Sequence, residues 1–301
     1  MTDSTDFNPV WQKQLLLMVG AATGFLSLSQ LSFNRNKKVW KSRFAALFGL
    51  SVESAVDIWL IVSHWVLGNG LEKRHYLWCL NFLKEYPTER SAASRFGTSE
   101  SNWRDKIKRM LLVFNRMNEI HFSDRFENWQ CKKPSCYVDG IDTLIEEVYP
   151  FFKGLYSHKF KHAAYRYQVA SAIGVSKFVH ISGSVPCGLY NDLKMVKKSL
   201  LPKLEIGEKV AADEGYVGVP GKIMTRLPGN SPSIIKHNRN LSIMQSRHEG
   251  MNGKLKDFGI LFQMFRGRRE EHYLIFTAVA QITQVKMRRE PVYDIMNRLY
   301  F

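Results

Sequence analysis

From Ser51 to Phe122 apolar residues recur at steps of three and four, and beyond Gln130 the period falls to two. The first stretch therefore predicts helices. Tyr76, Leu77, Leu80 and Leu83 share one face of a run that Pro87 ends. Two short helices follow, separated by Gly97. Thr88 is placed to cap the first, over 89–96, whose inward side is Ala92, Ala93 and Phe96. Ser99 is placed to cap the second, where Trp103, Ile107, Met110, Leu111 and Phe114 align. A helix, a sharp glycine turn and a second helix make a helix-turn-helix, spanning about residues 72–116. Its outward residues include Asn102, Arg104, Asp105 and Lys108. Asn and Arg can pair with base edges and Lys with phosphates. A small helical bundle without DNA would carry the same pattern.

The second stretch reads as strands mixed with helices. Cys136 to Val138 is a short strand running into Asp139-Gly140, and Tyr165 to Ile173 alternates with Tyr165, Tyr167, Val169, Ser171 and Ile173 on one side. Phe178 to Ile181 is its hairpin partner across Gly174. Asn191 or Asp192 caps a helix to about Leu200, and Lys209 to Ala212 is a further strand ending at Asp213. A Pro-, Gly-, Ser- and Asn-rich loop over 227–240 precedes a helix from about Ser242 to Lys256. The order predicts an α/β domain over 131–301 behind a helical region over 1–130.

With 45% apolar and 13% aromatic residues, most of the chain is expected to fold. Its net charge of +16 points to a polyanionic partner, nucleic acid ahead of an anionic membrane surface. The uncharged segment from Gln14 to Asn34 is diluted by Gly20, Gly24 and several Ser and Thr residues, so a packed helix is expected there rather than a membrane span. The basic run Asn34 to Arg43 suits a phosphate backbone, a nuclear address or a plain solvated face. Cys79, Cys131, Cys136 and Cys187 follow no zinc-ligand spacing and read as reduced thiols.

Three acids carry candidate chemistry. Asp139 and Asp213 each follow a strand, with a glycine within two residues, and Glu249 lies on the last helix. Asp213 stands 74 positions after Asp139, and Glu249 another 36 on. Helical projection puts Met244, Met251, Leu255 and Phe258 on one face, with Glu249, Asn252, Gly253 and Lys256 nearly opposite. Asn252, Gly253 and Lys256 beside a carboxylate suit a nucleic-acid backbone. Gly253, which costs the helix about 1 kcal/mol, would let that backbone approach.

Together these blocks resemble the DDE transposases of the PIF/Harbinger group and their relatives among bacterial insertion sequences. The matching residues are Val138-Asp139-Gly140-Ile141-Asp142, Ser157-His158-Lys159-Phe160-Lys161, Tyr165-Arg166-Tyr167-Gln168-Val169, Asn191-Asp192-Leu193 and Ala212-Asp213-Glu214-Gly215-Tyr216. Arg247-His248-Glu249-Gly250-Met251-Asn252-Gly253-Lys254 and His272-Tyr273-Leu274 continue the series. Tyr76-Leu77-Trp78 through Phe96-Gly97 is similar to the DNA-binding region these enzymes carry before the catalytic domain. Ile141 replaces the family's usual threonine, and Asn191 stands where histidine is common.

The resemblance implies an RNase H-like α/β domain, a mixed five-stranded sheet with flanking helices, behind an all-α helix-turn-helix domain. It implies Asp139, Asp213 and Glu249 as catalytic metal ligands, with Asp142 and Asp192 supporting them. Two Mg²⁺ ions, replaceable by Mn²⁺, are the implied cofactors; carboxylate oxygens suit such hard cations. The implied activity is metal-dependent hydrolysis at transposon ends followed by strand transfer into target DNA. Transposon ends and target DNA are the implied partners, with a Myb-like accessory protein and a second copy of the chain as candidates. The nucleus is the implied location, or the cytoplasm in a prokaryote. Lys254, Lys256, Arg266, Arg268 and Arg269 are candidates for the DNA path. The rival readings are a domesticated DNA-binding protein without transposition activity and a nuclease that cuts without joining.

Overall fold

A computed structural model of the chain describes residues 37–299 and Met18. Apart from Met18, the apolar segment 14–34 lies outside the described residues, as do the first three residues of the basic run. Two compact units share the chain. One comprises Met1–Asn118, Asp257–Gln263 and Leu274–Arg289; the other comprises Glu119–Lys256, Met264–Tyr273 and Glu290–Phe301.

In the first unit, α1 (Lys37–Phe48) takes up the rest of the basic run, and α2 (Val52–Gly68) follows after Ser51 caps it. Next come α3 (Lys73–Glu85), α4 (Glu89–Phe96) and α5 (Glu100–Phe114). The caps fall where the sequence puts them. Thr88 Oγ1 accepts from the Ser91 N–H, the Ser99 hydroxyl accepts from the Asn102 N–H, and Gly97 turns the chain between them at φ 62°. Each such cap is worth about 1 kcal/mol. Trp78 stacks on Phe96 at 5.3 Å and Phe82 meets Trp103 edge-on at 5.4 Å, so α4 and α5 are both pinned to α3. No single described helix is long and apolar enough to cross a membrane. The bent pair Val39–Phe48 and Val52–Gly68 passes that test only jointly, and most of its apolar residues are buried.

The second unit is α/β. Its strands are β1 (Cys136–Leu144), β2 (Tyr156–Ser157), β3 (His162–Ala172), β4 (Phe178–Pro186), β5 (Val210–Ala211) and β6 (Ile223–Met224). Among the described residues they form one mixed six-stranded sheet, with order β2-β3-β1-β5-β6 and β4 paired to β3. The sheet has six strands where five were expected. β1 and β4 run antiparallel to β3, whereas β5 is parallel to both β1 and β6. Helix α6 (Asp192–Ser199) and the long α7 (Pro232–Lys256) belong to this unit.

Alternation along the strands builds two cores. Cys136, Val138, Ala170, Val210 and Ala212 pack with Val196 of α6 and with Tyr216. Tyr137, Ile173 and Ala211 pack with Leu241 and Met244 of α7. The sheet is thus covered on both faces.

Three sequence expectations need correction here. β1 does not stop at Val138 but runs through Asp139, Gly140 and Asp142, because β3 pairs with it residue by residue to Leu144. Asp and Gly are weak strand formers, and ladder pairing overrides that local preference. Helix α7 begins at Pro232, about ten residues before the expected start. Proline suits the first helical turn, and Ser231 closes it by accepting the Ile235 N–H on its carbonyl. The expected division at residue 130 fails both ways: 119–130 belong to the α/β unit, and Asp257–Gln263 and Leu274–Arg289 belong to the helical one. Within 119–130, Arg125, only 6% exposed, donates at 2.8 Å to the fully buried Glu208, which also accepts from the Ser135 hydroxyl.

Two later helices complete the list: α8 (Gly259–Phe262) and α9 (His272–Arg289). His272 and Tyr273, which open α9, belong to the α/β unit, where the Tyr167 hydroxyl lies 2.6 Å from His272 Nδ1.

Candidate active site

Asp139 and Asp213 come side by side because β1 and β5 are parallel neighbours. Tyr137 pairs with Ala211, so two residues further along each strand the aspartates stand level. Tyr137 and Ala211 face α7, and alternation gives Asp139 the same face. Asp213 ends the extended segment after β5, and its carboxylate accepts the Gly215 N–H at 2.9 Å. The exposed Glu249 lies on α7 and accepts from Gln245 at 3.1 Å. Tyr137 senses all three acids: burial pushes its hydroxyl well up, and the charges of Asp139, Asp213 and Glu249 add to this.

The Asp139 carboxyl is pushed up to about 6, first by burial and then by the charges of Asp213 and Asp192, against the Gly140 N–H it accepts at 2.7 Å. A half-buried carboxylate raised by neighbouring acids is the arrangement a bound cation relieves. All the donors are hard oxygens, the ligand type Mg²⁺ and Mn²⁺ prefer. Among the described residues, however, no three His, Cys, Asp or Glu side chains are grouped as a ready-made ion site. Glu249 instead holds its own helix neighbour.

On the opposite face of β1, Asp142 is turned away from this group. It forms a bidentate pair with Arg166 at 2.7 and 3.0 Å and accepts the Ser157 hydroxyl at 2.8 Å. Burial pushes its carboxyl up, but Arg166 and Ser157 more than offset this and leave it below the usual carboxylate range. Arg166 sits directly opposite Asp142 in the β1–β3 ladder, and it also reaches Asp192 at 3.4 Å.

Asp192 links the two faces. A Cβ on Gly140 would collide with Asp192 Oδ1, so glycine at that position lets the carboxylate lie directly against the strand. That Oδ1 is buried without a hydrogen-bond partner. Burial raises the Asp192 carboxyl, as do the charges of Asp142 and Asp213, against the pull of Arg166.

Two neighbours of Glu249 anchor α7 to the sheet. Arg247 donates to the carbonyls of Ala172 and Ile173, each at 2.8 Å. His248 lies 2.6 Å from the Ser171 hydroxyl and 5.1 Å from the Tyr137 ring. Burial lowers its pKa to about 3, so it is a neutral packing residue at physiological pH.

The candidate DNA contacts divide. Asn102, Arg104 and Lys108 are exposed on α5, as their spacing requires. Arg104 is paired with Glu89 of α4, and Asn102 donates to Thr98. On α7, Lys256 is exposed and Lys254 is 3.5 Å from Glu290. Asn252 is not on an exposed polar face: it is buried, its side-chain oxygen unpartnered. Phe258 likewise lies beyond the end of α7 rather than on its apolar face. Phe258 is misplaced because the helix ends at Lys256, whereas Asn252 lies within the unbroken helix beside buried Met251 and Leu255.

Arg166 and Tyr137 were not among the candidate site residues. Arg166 left a signal, since a cation between Tyr165 and Tyr167 in an alternating strand faces the side opposite the tyrosines and needs an acid there. No family model, no curated protein and no solved structure matches this chain.

Proposed function

We propose that the α/β unit is an RNase H-like catalytic domain that cuts and rejoins DNA phosphodiesters, as in DDE transposases, with Asp139, Asp213 and Glu249 as its acids. The observation that carries this reading is the level placement of Asp139 and Asp213 on adjacent parallel strands, on the face packed against the helix that bears Glu249. The β4-β3-β1-β5-β6 order, with its single antiparallel half, is the arrangement expected of that fold. Further support comes from Ser157, Arg166 and Asp192, drawn from three separate sequence blocks, which meet around Asp142 and Gly140.

In this reading Asp139 and Asp213 present oxygens from the strands, and Glu249 turns from Gln245 to complete the set. Divalent ions bound there supply an activated attacking oxygen and neutralise the leaving one. Arg166 holds Asp142 and Asp192 in place behind β1, and His248 and Arg247 hold α7 at a fixed height against the sheet. Exposed Asn102, Arg104 and Lys108 serve the recognition of DNA ends.

A second reading has its own observation. Asp192, rather than Glu249, raises both the Asp139 carboxyl and, through Asp139, the local need for a cation, and its Oδ1 lacks a partner. Asp192 would then be the third ligand. Nicking of supercoiled plasmid in Mg²⁺ or Mn²⁺ tests both. Asp213→Asn and Glu249→Gln should each abolish nicking with folding intact. Wild-type nicking by Asp213→Asn overturns the site, whereas wild-type nicking by Glu249→Gln with none by Asp192→Asn moves the third ligand to Asp192.

A further inference from the structure

Against Arg166, the partner of Asp142, lies a cleft of about 300 Å³, formed where the β1–β3 connection meets the β4–α6 connection. Gly188 N–H donates to Gly154 O at 2.9 Å and ties the two loops together. Its walls include His158, Lys159, Arg166 and Lys194, and Gly188 is glycine because the Lys153 and Gly154 carbonyls fill the space a side chain would need. Arg166 is the residue that grips Asp142. The cleft is therefore basic and adjoins Asp142.

The β1–β3 connection, which forms one wall, also carries exposed rings. Tyr149 is 100% exposed, Phe151 61% and Phe152 50%. A soluble surface rarely leaves three such rings in four residues uncovered. The rings connect to the cleft through contacts. Phe151 meets Tyr156 at 6.4 Å, and Tyr156 meets His158 of the cleft wall at 5.3 Å. The Phe152 ring and Leu189, another wall residue, both crowd Gly154.

We infer that this cleft binds one phosphate of an unpaired DNA strand, with the adjoining bases stacked on Tyr149, Phe151 and Phe152. Lysines that face a phosphate beside exposed aromatic rings combine the two elements by which proteins hold single strands. Bases inside a duplex are already stacked and cannot use the rings, so the surface selects a strand splayed open near the scissile phosphate. The inference rests on the phosphodiester reading of the acid cluster and adds that the substrate's end is unpaired when bound.

Binding in EDTA isolates it from cleavage. Anisotropy of a fluorescein-labelled single strand is compared with a duplex of the same length, using the full chain. Tyr149→Ala with Phe151→Ala, both exposed enough to spare the core, should weaken the single strand about ten-fold or more and leave the duplex within two-fold. Lys159→Gln with Lys194→Gln should weaken the single strand and lower its salt slope by about 1–2. Single-strand affinity unchanged by the aromatic pair overturns the inference. So does loss of binding to anionic phospholipid vesicles with none to the oligonucleotide. Asp213→Asn should bind the single strand like the wild type. If that variant also nicks like the wild type, the cleavage reading fails and the binding cleft stands. If metal-dependent nicking depends on Asp213 but the aromatic pair has no effect on binding, the cleft fails and the cleavage reading stands.

Discussion

Asp139→Asn should make the metal-free protein more stable at neutral pH, and the gain should vanish in acid. The Asp139 carboxyl is pushed from an ordinary 3.8 to about 6 by burial and by the charges of Asp213 and Asp192. The folded state therefore holds this proton more tightly than the unfolded chain. Below the unfolded value both states are protonated and nothing is lost. As pH rises toward 6 the unfolded state ionises first and stability falls, the loss being complete above about 6. Two pKa units at 1.36 kcal/mol each give about 3 kcal/mol, trimmed to roughly 2–3 by the partial exposure of the group. Asparagine has similar size, keeps an oxygen for the Gly140 N–H and carries no charge. Urea unfolding in EDTA at pH 4 and pH 8 measures the difference. The variant should exceed the wild type by only about 0.5 kcal/mol at pH 4 and by about 2–3 kcal/mol at pH 8, several degrees in Tm. An equal gain at both pH values, or none at pH 8, refutes the claim that Asp139 is held among repelling carboxylates.

Glu208→Gln should cost about 3 kcal/mol in urea unfolding, because it leaves the buried Arg125 with the half-exposed Glu205 at 3.2 Å as its one carboxylate partner among the described residues. Burial pushes the Glu208 carboxyl up, but Arg125 and Ser135 bring it below its ordinary value, so the pair's contribution is lost as pH falls. A neutral effect at pH 7 contradicts this. Gly140→Ala should destabilise by about 1–3 kcal/mol through its clash with Asp192, and adding Asp192→Ala should recover most of that. No recovery in the double variant would place the clash elsewhere. Arg104→Ala with Lys108→Ala should weaken binding to DNA from the gene's own flanks about ten-fold in a mobility-shift assay. Unchanged affinity moves end recognition off α5.

The legible parts of the sequence were those with local causes. Thr88, Ser99 and Asn191 cap their helices by short-range hydrogen bonds, and Gly97 makes the left-handed turn that glycine permits. The alternation from Tyr165 to Ile173 marked β3 because one of its faces is packed. What was hidden depends on distant partners. Asp139 and Gly140 look like a strand end until β3 pairs with them, and the reason for Gly140 lies 52 positions away at Asp192. Similarly, the polar residues at the start of α7 read as a loop, and Asn252 reads as exposed until the helix's true packing face is known. The three acids were nameable from their motif blocks. The Arg166 clamp behind them required the register.

The most direct test is a crystal grown in Mn²⁺, with the ions located by anomalous scattering. The account predicts that Asp139, Asp213 and Glu249 would hold the ions, with Asp142 still bound to Arg166. A cation held by Asp142 with Asp139 turned away, or none at these acids in a protein that nicks DNA, contradicts it.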